Sequence, residues 1–258
     1  MPFIEVQGKQ LEYECLSPSN GLGKKPVITL LHEGLGSISM WRDFPQKIAD
    51  FTGHDVLVYS RYGYGNSEAS PGFSFHYMHE QGQLALPELL QKLNIQNPIL
   101  LGHSDGASIS LIAAGGTNIK PQGVIVMAPH VMIENIALES IEQAKIAYQS
   151  TDLKNRLARY HSNVDSAFWG WNNAWLSDAF KQWNIENFLP HIDCPILGIQ
   201  GYEDEYGTMT QLERIAELAC NTHVELLKLE NCKHSPHKDQ PEQILQAVHN
   251  FIKNLNLS

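Results

Sequence analysis

Gly102-His103-Ser104-Asp105-Gly106 lies between two runs of opposite character. Before it, Pro98 introduces Ile99-Leu100-Leu101; after it comes Ala107-Ser108-Ile109-Ser110-Leu111-Ile112-Ala113-Ala114. The first run reads as a strand buried on both faces, and the second as a helix that begins on small side chains. The pentapeptide is then a sharp strand-to-helix turn. Such a turn strains the backbone of its central residue and lifts the Ser104 hydroxyl clear of the sheet. Glycine is needed on either side because a Cβ there would strike the neighbouring strand or helix. The start of the helix aims free amide hydrogens at whatever sits beside the serine.

Outward from that turn, apolar runs of four to six residues alternate with helical patterns. Strands are predicted at Val27–Leu31, Val56–Tyr59, Ile99–Leu101, Val124–Ala128, Ile196–Ile199 and Val224–Leu229, after an antiparallel edge hairpin, Phe3–Val6 and Leu11–Leu16. Helices are predicted around Phe44–Phe51, His76–Leu93, Ala107–Ala114, Thr210–Ala219 and Gln243–Asn254. This alternation defines an α/β class: a mostly parallel, eight-stranded sheet with helices on both faces. Between about Met132 and Pro190 no strand is predicted, and four of the five tryptophans fall there. The segment reads as a helical cap inserted at the end of the sheet where sites form. The expected organisation is a core in two parts, 1–131 and 191–258, around a cap at 132–190.

Composition narrows the functional classes. The 258 residues are 43% hydrophobic and 18% charged, ordinary for a soluble domain that can bury a large core. A formal net charge of −10 opposes nucleic acid and anionic membranes as partners. Cys15, Cys194, Cys220 and Cys232 show no metal-ligand or Cys-x-x-Cys spacing and read as isolated buried thiols in a reducing compartment. The opening residues carry no basic-then-apolar leader, and no window reaches the apolar length of a membrane span, so a cytoplasmic protein is expected.

Three further stretches complete a pattern. Cys194-Pro195-Ile196-Leu197-Gly198-Ile199-Gln200 runs into Gly201-Tyr202-Glu203-Asp204-Glu205. Leu229-Glu230-Asn231-Cys232-Lys233-His234-Ser235-Pro236-His237 follows the last strand, and Arg61-Tyr62-Gly63-Tyr64-Gly65-Asn66-Ser67 follows the fourth. Together with the Gly-x-Ser-x-Gly turn, these resemble the α/β-hydrolase fold family over nearly the whole chain. The resemblance implies Ser104 as nucleophile, Asp204 as acid, with Glu203 and Glu205 as competitors, and His234 as base in preference to His237. It also implies an oxyanion hole built from the backbone N–H of Asp105 and of Gly34, in His32-Glu33-Gly34-Leu35-Gly36. Two residues depart from the family pattern: Lys233 takes a glycine place before the histidine, and Glu33 takes one in the oxyanion loop. The Glu33 side chain is expected to turn away. Asp105 suits the positive end of the helix dipole, and 61–67 reads as a turn. Trp41 and His130 are candidate pocket walls, and a cap this short should press Trp169, Trp171 or Trp175 onto the site.

The chemistry follows from pKa values. A serine hydroxyl needs a neutral imidazole to take its proton, and a carboxylate to hold that imidazole in the right tautomer. The reading is a cofactor-independent serine hydrolase cleaving an ester, lactone or related acyl bond of a small, largely apolar molecule, with no metal. A carbon–carbon bond hydrolase, a thioesterase and a slow-turnover ligand receptor are the competing readings, since one fold serves many substrates.

Overall fold

Eight strands form one sheet in a computed structural model that describes residues 1–255. They are β1 (Phe3–Val6), β2 (Lys9–Leu16), β3 (Lys24–Leu31), β4 (His54–Tyr59), β5 (Ile99–His103), β6 (Gly123–Met127), β7 (Ile196–Gly201) and β8 (Val224–Leu229). Their order is β1-β2-β4-β3-β5-β6-β7-β8. β1 and β2 pair antiparallel, β2 runs antiparallel to β4, and every later pairing is parallel. β5 is central, and its register puts Gly102 beside Leu31 of β3 and Val126 of β6.

The side-chain period of two divides the core. Ile99 and Leu101 point to a layer that holds Phe44 and Ile48 of one helix and Ile244, Val248 and Phe251 of the last. Leu100 points to the opposite layer, which holds Leu86, Leu89, Ile109 and Ile112. Apolar residues on both faces are what a doubly covered parallel sheet requires. The helix Asp105–Gly116 is buried from Asp105 through Ala114, as expected for a helix apolar on every side.

The predicted single helix at 76–93 is interrupted. An α-turn at Tyr77–Glu80 passes through a π segment, Gln81–Ala85, before α geometry resumes at Leu86–Lys92. Leu86 N–H closes the wide turn on the Gln81 carbonyl, and Pro87, which has no N–H to donate back, stands in the first turn of the α segment that follows, where its missing donor is tolerated.

Between β6 and β7 lie three α-helices, Asn135–Ser150, Leu153–Leu157 and Val164–Trp175, followed by short turns at Phe180–Gln182 and Glu186–His191. An isolated bridge joins Met132 to Asn184. Asn163 caps the third helix by accepting from Ser166 N at 3.0 Å. Its aromatics stack inward, Phe168 on Tyr148 with centroids 3.7 Å apart and Trp175 against Phe180 at 4.8 Å. The four cysteines are free; Cys194 and Cys232 are buried, whereas Cys15 and Cys220 are exposed, contrary to the expectation of four buried thiols. Among the described residues no helix is long and apolar enough to cross a membrane.

Candidate active site

The turn after β5 has the strain its sequence implies: Ser104 sits at φ 53°, ψ −119°, and its N–H donates to the Met127 carbonyl of β6 at 2.9 Å. Close approach explains both glycines. A Cβ on Gly102 would lie 2.2 Å from the Gly106 carbonyl oxygen, and one on Gly106 would lie 2.0 Å from that of Leu31. Only hydrogen fits at either place.

Three loops at the carboxyl ends of β5, β7 and β8 bring Ser104, Asp204 and His234 together. The Ser104 hydroxyl donates to His234 Nε2 at 2.9 Å, and His234 Nδ1–H donates to Asp204 Oδ1 at 2.8 Å. Asp204 Oδ1 also accepts from Tyr206 N at 2.9 Å, and Oδ2 from Gln200 Nε2 at 3.2 Å. Burial alone would push the Asp204 carboxyl up, but the His234 charge and these donors hold it below its ordinary value. Burial alone would likewise lower His234; Asp204, with Glu205 and Glu33 behind it, raises the imidazole above its ordinary 6.5.

The competing acids serve the same loop through the backbone. Glu203 accepts from Cys232 N at 2.9 Å and Glu205 from His234 N at 3.3 Å. His103 adds a third tie, donating from Nε2 to the His234 carbonyl at 2.7 Å. The left-handed residue of this loop is Asn231, at φ 53°, and Lys233 is not among the positive-φ positions, so its loop place makes no demand for glycine. His237, the less favoured candidate base, is buried between Trp41, Phe44 and His103. Burial pushes its imidazole well below the ordinary range.

Beside Ser104 lies a cavity of about 270 Å³ lined by Glu33, Gly34, Leu35, Asp105, His130, Ile141, Trp171, Trp175, Glu205, Tyr206 and Ser235. A larger hollow of about 680 Å³ sits among residues 83–120 and touches none of these groups. Gly34 is pressed against the helix Val164–Trp175: a Cβ there would fall 2.3 Å from Trp171 Nε1. No acceptor among the described residues takes the backbone N–H of Gly34 or of Asp105. His130 Nε2 donates to the Tyr206 carbonyl at 3.1 Å, and burial brings that imidazole down to about 4, so it is neutral at pH 7. Glu33 turns to Lys238 Nζ at 3.4 Å and His103 Nδ1 at 3.6 Å; against the burial penalty, these neighbours hold its carboxyl well below the usual range.

Two candidate wall residues lie elsewhere. Trp41 is buried in the opposite core layer, stacked on Phe44 at 5.6 Å, because its short helix packs beneath the sheet. Trp169 points off the helix Val164–Trp175 toward a separate hollow with Phe73 and Phe75, two positions away from Trp171 and so on another side of the helix. Asp105 is more than a partner for the helix dipole. Fully buried, it accepts from Tyr77 Oη at 2.6 Å and faces Arg61 Nη2 at 3.8 Å. Burial pushes its carboxyl up against both. Leu35, Ile141 and Tyr206 carried no sequence signal; Arg61, a cation directly after an apolar strand, did, yet read only as part of a turn. Among the described residues no group of three His, Cys, Asp or Glu is placed to hold a metal ion.

Comparison with known proteins gives this geometry a context. The model of the alpha/beta hydrolase family matches residues 30–247. A curated relative, "Putative esterase/lipase 1" of Mycoplasma pneumoniae, is 25% identical over 276 residues, covering 95% of this chain and 97% of the relative. Among solved structures, the enol-lactonase from Burkholderia xenovorans LB400 superposes with a TM-score of 0.73 at 19% identity, covering 98% of this chain and 100% of that one. The esterase EaEST from Exiguobacterium antarcticum superposes with a TM-score of 0.75 at 17% identity, covering 98% and 99%.

Proposed function

The chain belongs to the alpha/beta hydrolase family, and from that membership we propose that it is a serine hydrolase cleaving the ester or lactone bond of a small, largely apolar molecule. The observation that carries this reading is the continuous chain from Ser104 Oγ through His234 to Asp204, at 2.9 and 2.8 Å, opening on the 270 Å³ cavity. The names of the similar proteins, an esterase/lipase, an enol-lactonase and an esterase, agree with it.

In this scheme Ser104 Oγ attacks the substrate carbonyl carbon while His234 Nε2 takes the hydroxyl proton. Negative charge moves to the carbonyl oxygen, which in this reading accepts from the backbone N–H groups of Gly34 and Asp105. Collapse breaks the carbon–oxygen bond of the ester, and the leaving oxygen takes the proton from His234. A lactone opens in the same step with its alcohol still attached. Water then attacks the acyl-serine, gives its proton to His234, and Ser104 leaves with that proton restored. Asp204 stabilises the imidazolium in both halves.

The cavity limits the substrate. At about 270 Å³ it falls just under the usual range of roughly 300–1,000 Å³ for small-molecule pockets, so a short acyl chain or a small lactone fits. Its walls of Leu35, Ile141, Trp171 and Trp175 favour apolar bulk.

A short-chain p-nitrophenyl ester assay, with fluorophosphonate labelling mapped by peptide digestion, tests the reading. Turnover that Ser104→Ala abolishes, with the label on Ser104, is the expected result. A wild-type protein that binds such esters, gains thermal stability from them and neither turns over nor labels would be a receptor.

A further inference from the structure

The Glu33–Gly34 peptide has the cavity on one side and a buried cation on the other. Arg61, two residues past β4, is 1% exposed. Its Nη2 donates to the Glu33 carbonyl at 2.8 Å and to the His32 carbonyl at 3.2 Å. The Glu33 oxygen also accepts from His32 Nδ1 at 2.7 Å and from Gly36 N at 3.0 Å. His32 can donate there because its Nε2 is the acceptor for Arg61 N at 3.0 Å. In a trans peptide the N–H points opposite to the C=O. Three donors on the Glu33 oxygen therefore fix the Gly34 N–H away from Arg61, and that N–H meets no acceptor among the described residues.

The same guanidinium faces Asp105, whose backbone N–H is the second free donor beside Ser104, with Nη2 3.8 Å from Oδ2. One buried ion pair thus stands behind both peptides. Hydrogen bonding alone does not account for it. Among the described residues Nε and Nη1 of Arg61 and Oδ1 of Asp105 have no hydrogen-bond partner; the guanidinium lies over the Tyr64 ring at 4.9 Å, but a buried charge with idle donors is still destabilising. Rules broken inside a core tend to be broken where function gains.

We propose that Arg61 is the positioning residue of the oxyanion-binding peptide: its guanidinium clamps the Glu33 carbonyl and so preorganises the Gly34 N–H toward the oxyanion formed on Ser104, with Asp105 as counter-charge. This inference rests on the serine-hydrolase reading above. The loop that would carry glycine in the family pattern carries Glu33 here, and the clamp acts on that residue's backbone while its side chain is drawn off to Lys238 and His103. Arg61 touches no substrate; it acts through a peptide plane.

The test compares Arg61→Gln and Arg61→Lys with wild type in the ester assay and in two inhibitor titrations. A trifluoromethyl ketone adds to the serine and forms the oxyanion, whereas the matched methyl ketone binds without adding. Lysine keeps the charge opposite Asp105 and so preserves the fold, but its ammonium ends one bond short of Nη2. Should Arg61→Gln not fold, as a thermal melt would show, Arg61→Lys decides alone. The expected result is a loss in kcat between about tenfold and the roughly 10²–10³-fold that deleting one oxyanion donor costs, with KM little changed. Affinity for the trifluoromethyl ketone should fall in step with kcat, while affinity for the methyl ketone holds. A folded Arg61→Lys with wild-type kcat, or equal loss of both ketones, would overturn the proposal. A wild-type protein that neither turns over nor labels at Ser104 would instead overturn the hydrolase reading, and this inference with it.

Discussion

Replacing Asp204 by asparagine removes a charge without changing the shape of a side chain that is 1% exposed. Its carboxylate lies 2.8 Å from His234 Nδ1, the nitrogen that carries positive charge as Ser104 attacks. At an effective dielectric of about 20, a unit charge at that distance contributes about 6 kcal/mol to the imidazolium. At about 1.4 kcal/mol per decade, this corresponds to a loss of about 10⁴-fold in kcat. Asparagine also fits its partners poorly. Tyr206 N, Gln200 Nε2 and His234 Nδ1–H all donate to the carboxylate, so an amide NH2 must face one of those donors or turn the imidazole to the tautomer that cannot accept from serine. The pH profile carries an independent signature. In the wild type, burial lowers His234 but Asp204, with Glu205 and Glu33, outweighs it and raises the imidazole, so kcat/KM should be lost as pH falls through a value above 6.5. Without Asp204 the burial penalty loses its main opponent, and that acid limb should move to lower pH. The assay is initial-rate hydrolysis of a short-chain ester across the pH range, with Glu203→Gln and Glu205→Gln as controls. A wild-type-like rate with an unmoved limb in Asp204→Asn would refute the reasoning. So would a crippling loss confined to either control.

Two further outcomes test the frame around the site. Gly106→Ala would set a Cβ 2.0 Å from the Leu31 carbonyl oxygen, backbone against backbone. Its urea midpoint should fall, reflecting a stability loss of about 1–3 kcal/mol or more for such overpacking, with loss of fluorophosphonate labelling; an unchanged midpoint and full labelling would show that the turn tolerates a side chain. Trp171→Ala should shift the acyl-chain preference toward longer esters by opening the cavity wall, at a stability cost of about 3–5 kcal/mol. Trp169→Ala should leave that preference where it was, since Trp169 faces a different hollow; the reverse pattern across a series of ester lengths would misplace the pocket.

Local sequence determined the elements and the order of the chemical groups. The inner strands, β3 to β7, were legible because a strand buried on both faces is an apolar run, whatever it packs against; the edge strands β1, β2 and β8 mix polar and apolar residues. The turn at Ser104 was legible because its two glycines answer to contacts within a few residues or with the adjacent strand. The histidine and the acid were picked out by the resemblance to the family, the histidine at the family's distance from the strand before it. The tertiary structure decided which side chains share a space. Trp41 and Trp171 look alike in sequence, yet one packs beneath the sheet and the other walls the cavity, because the helix carrying each meets a different layer. Asp105 reads as a surface-compatible helix start until the fold brings Arg61 and Tyr77 to it from chain segments 44 and 28 residues away. A residue's own neighbours in the chain fix its backbone conformation; its dielectric surroundings and its partners come from segments that only folding brings near.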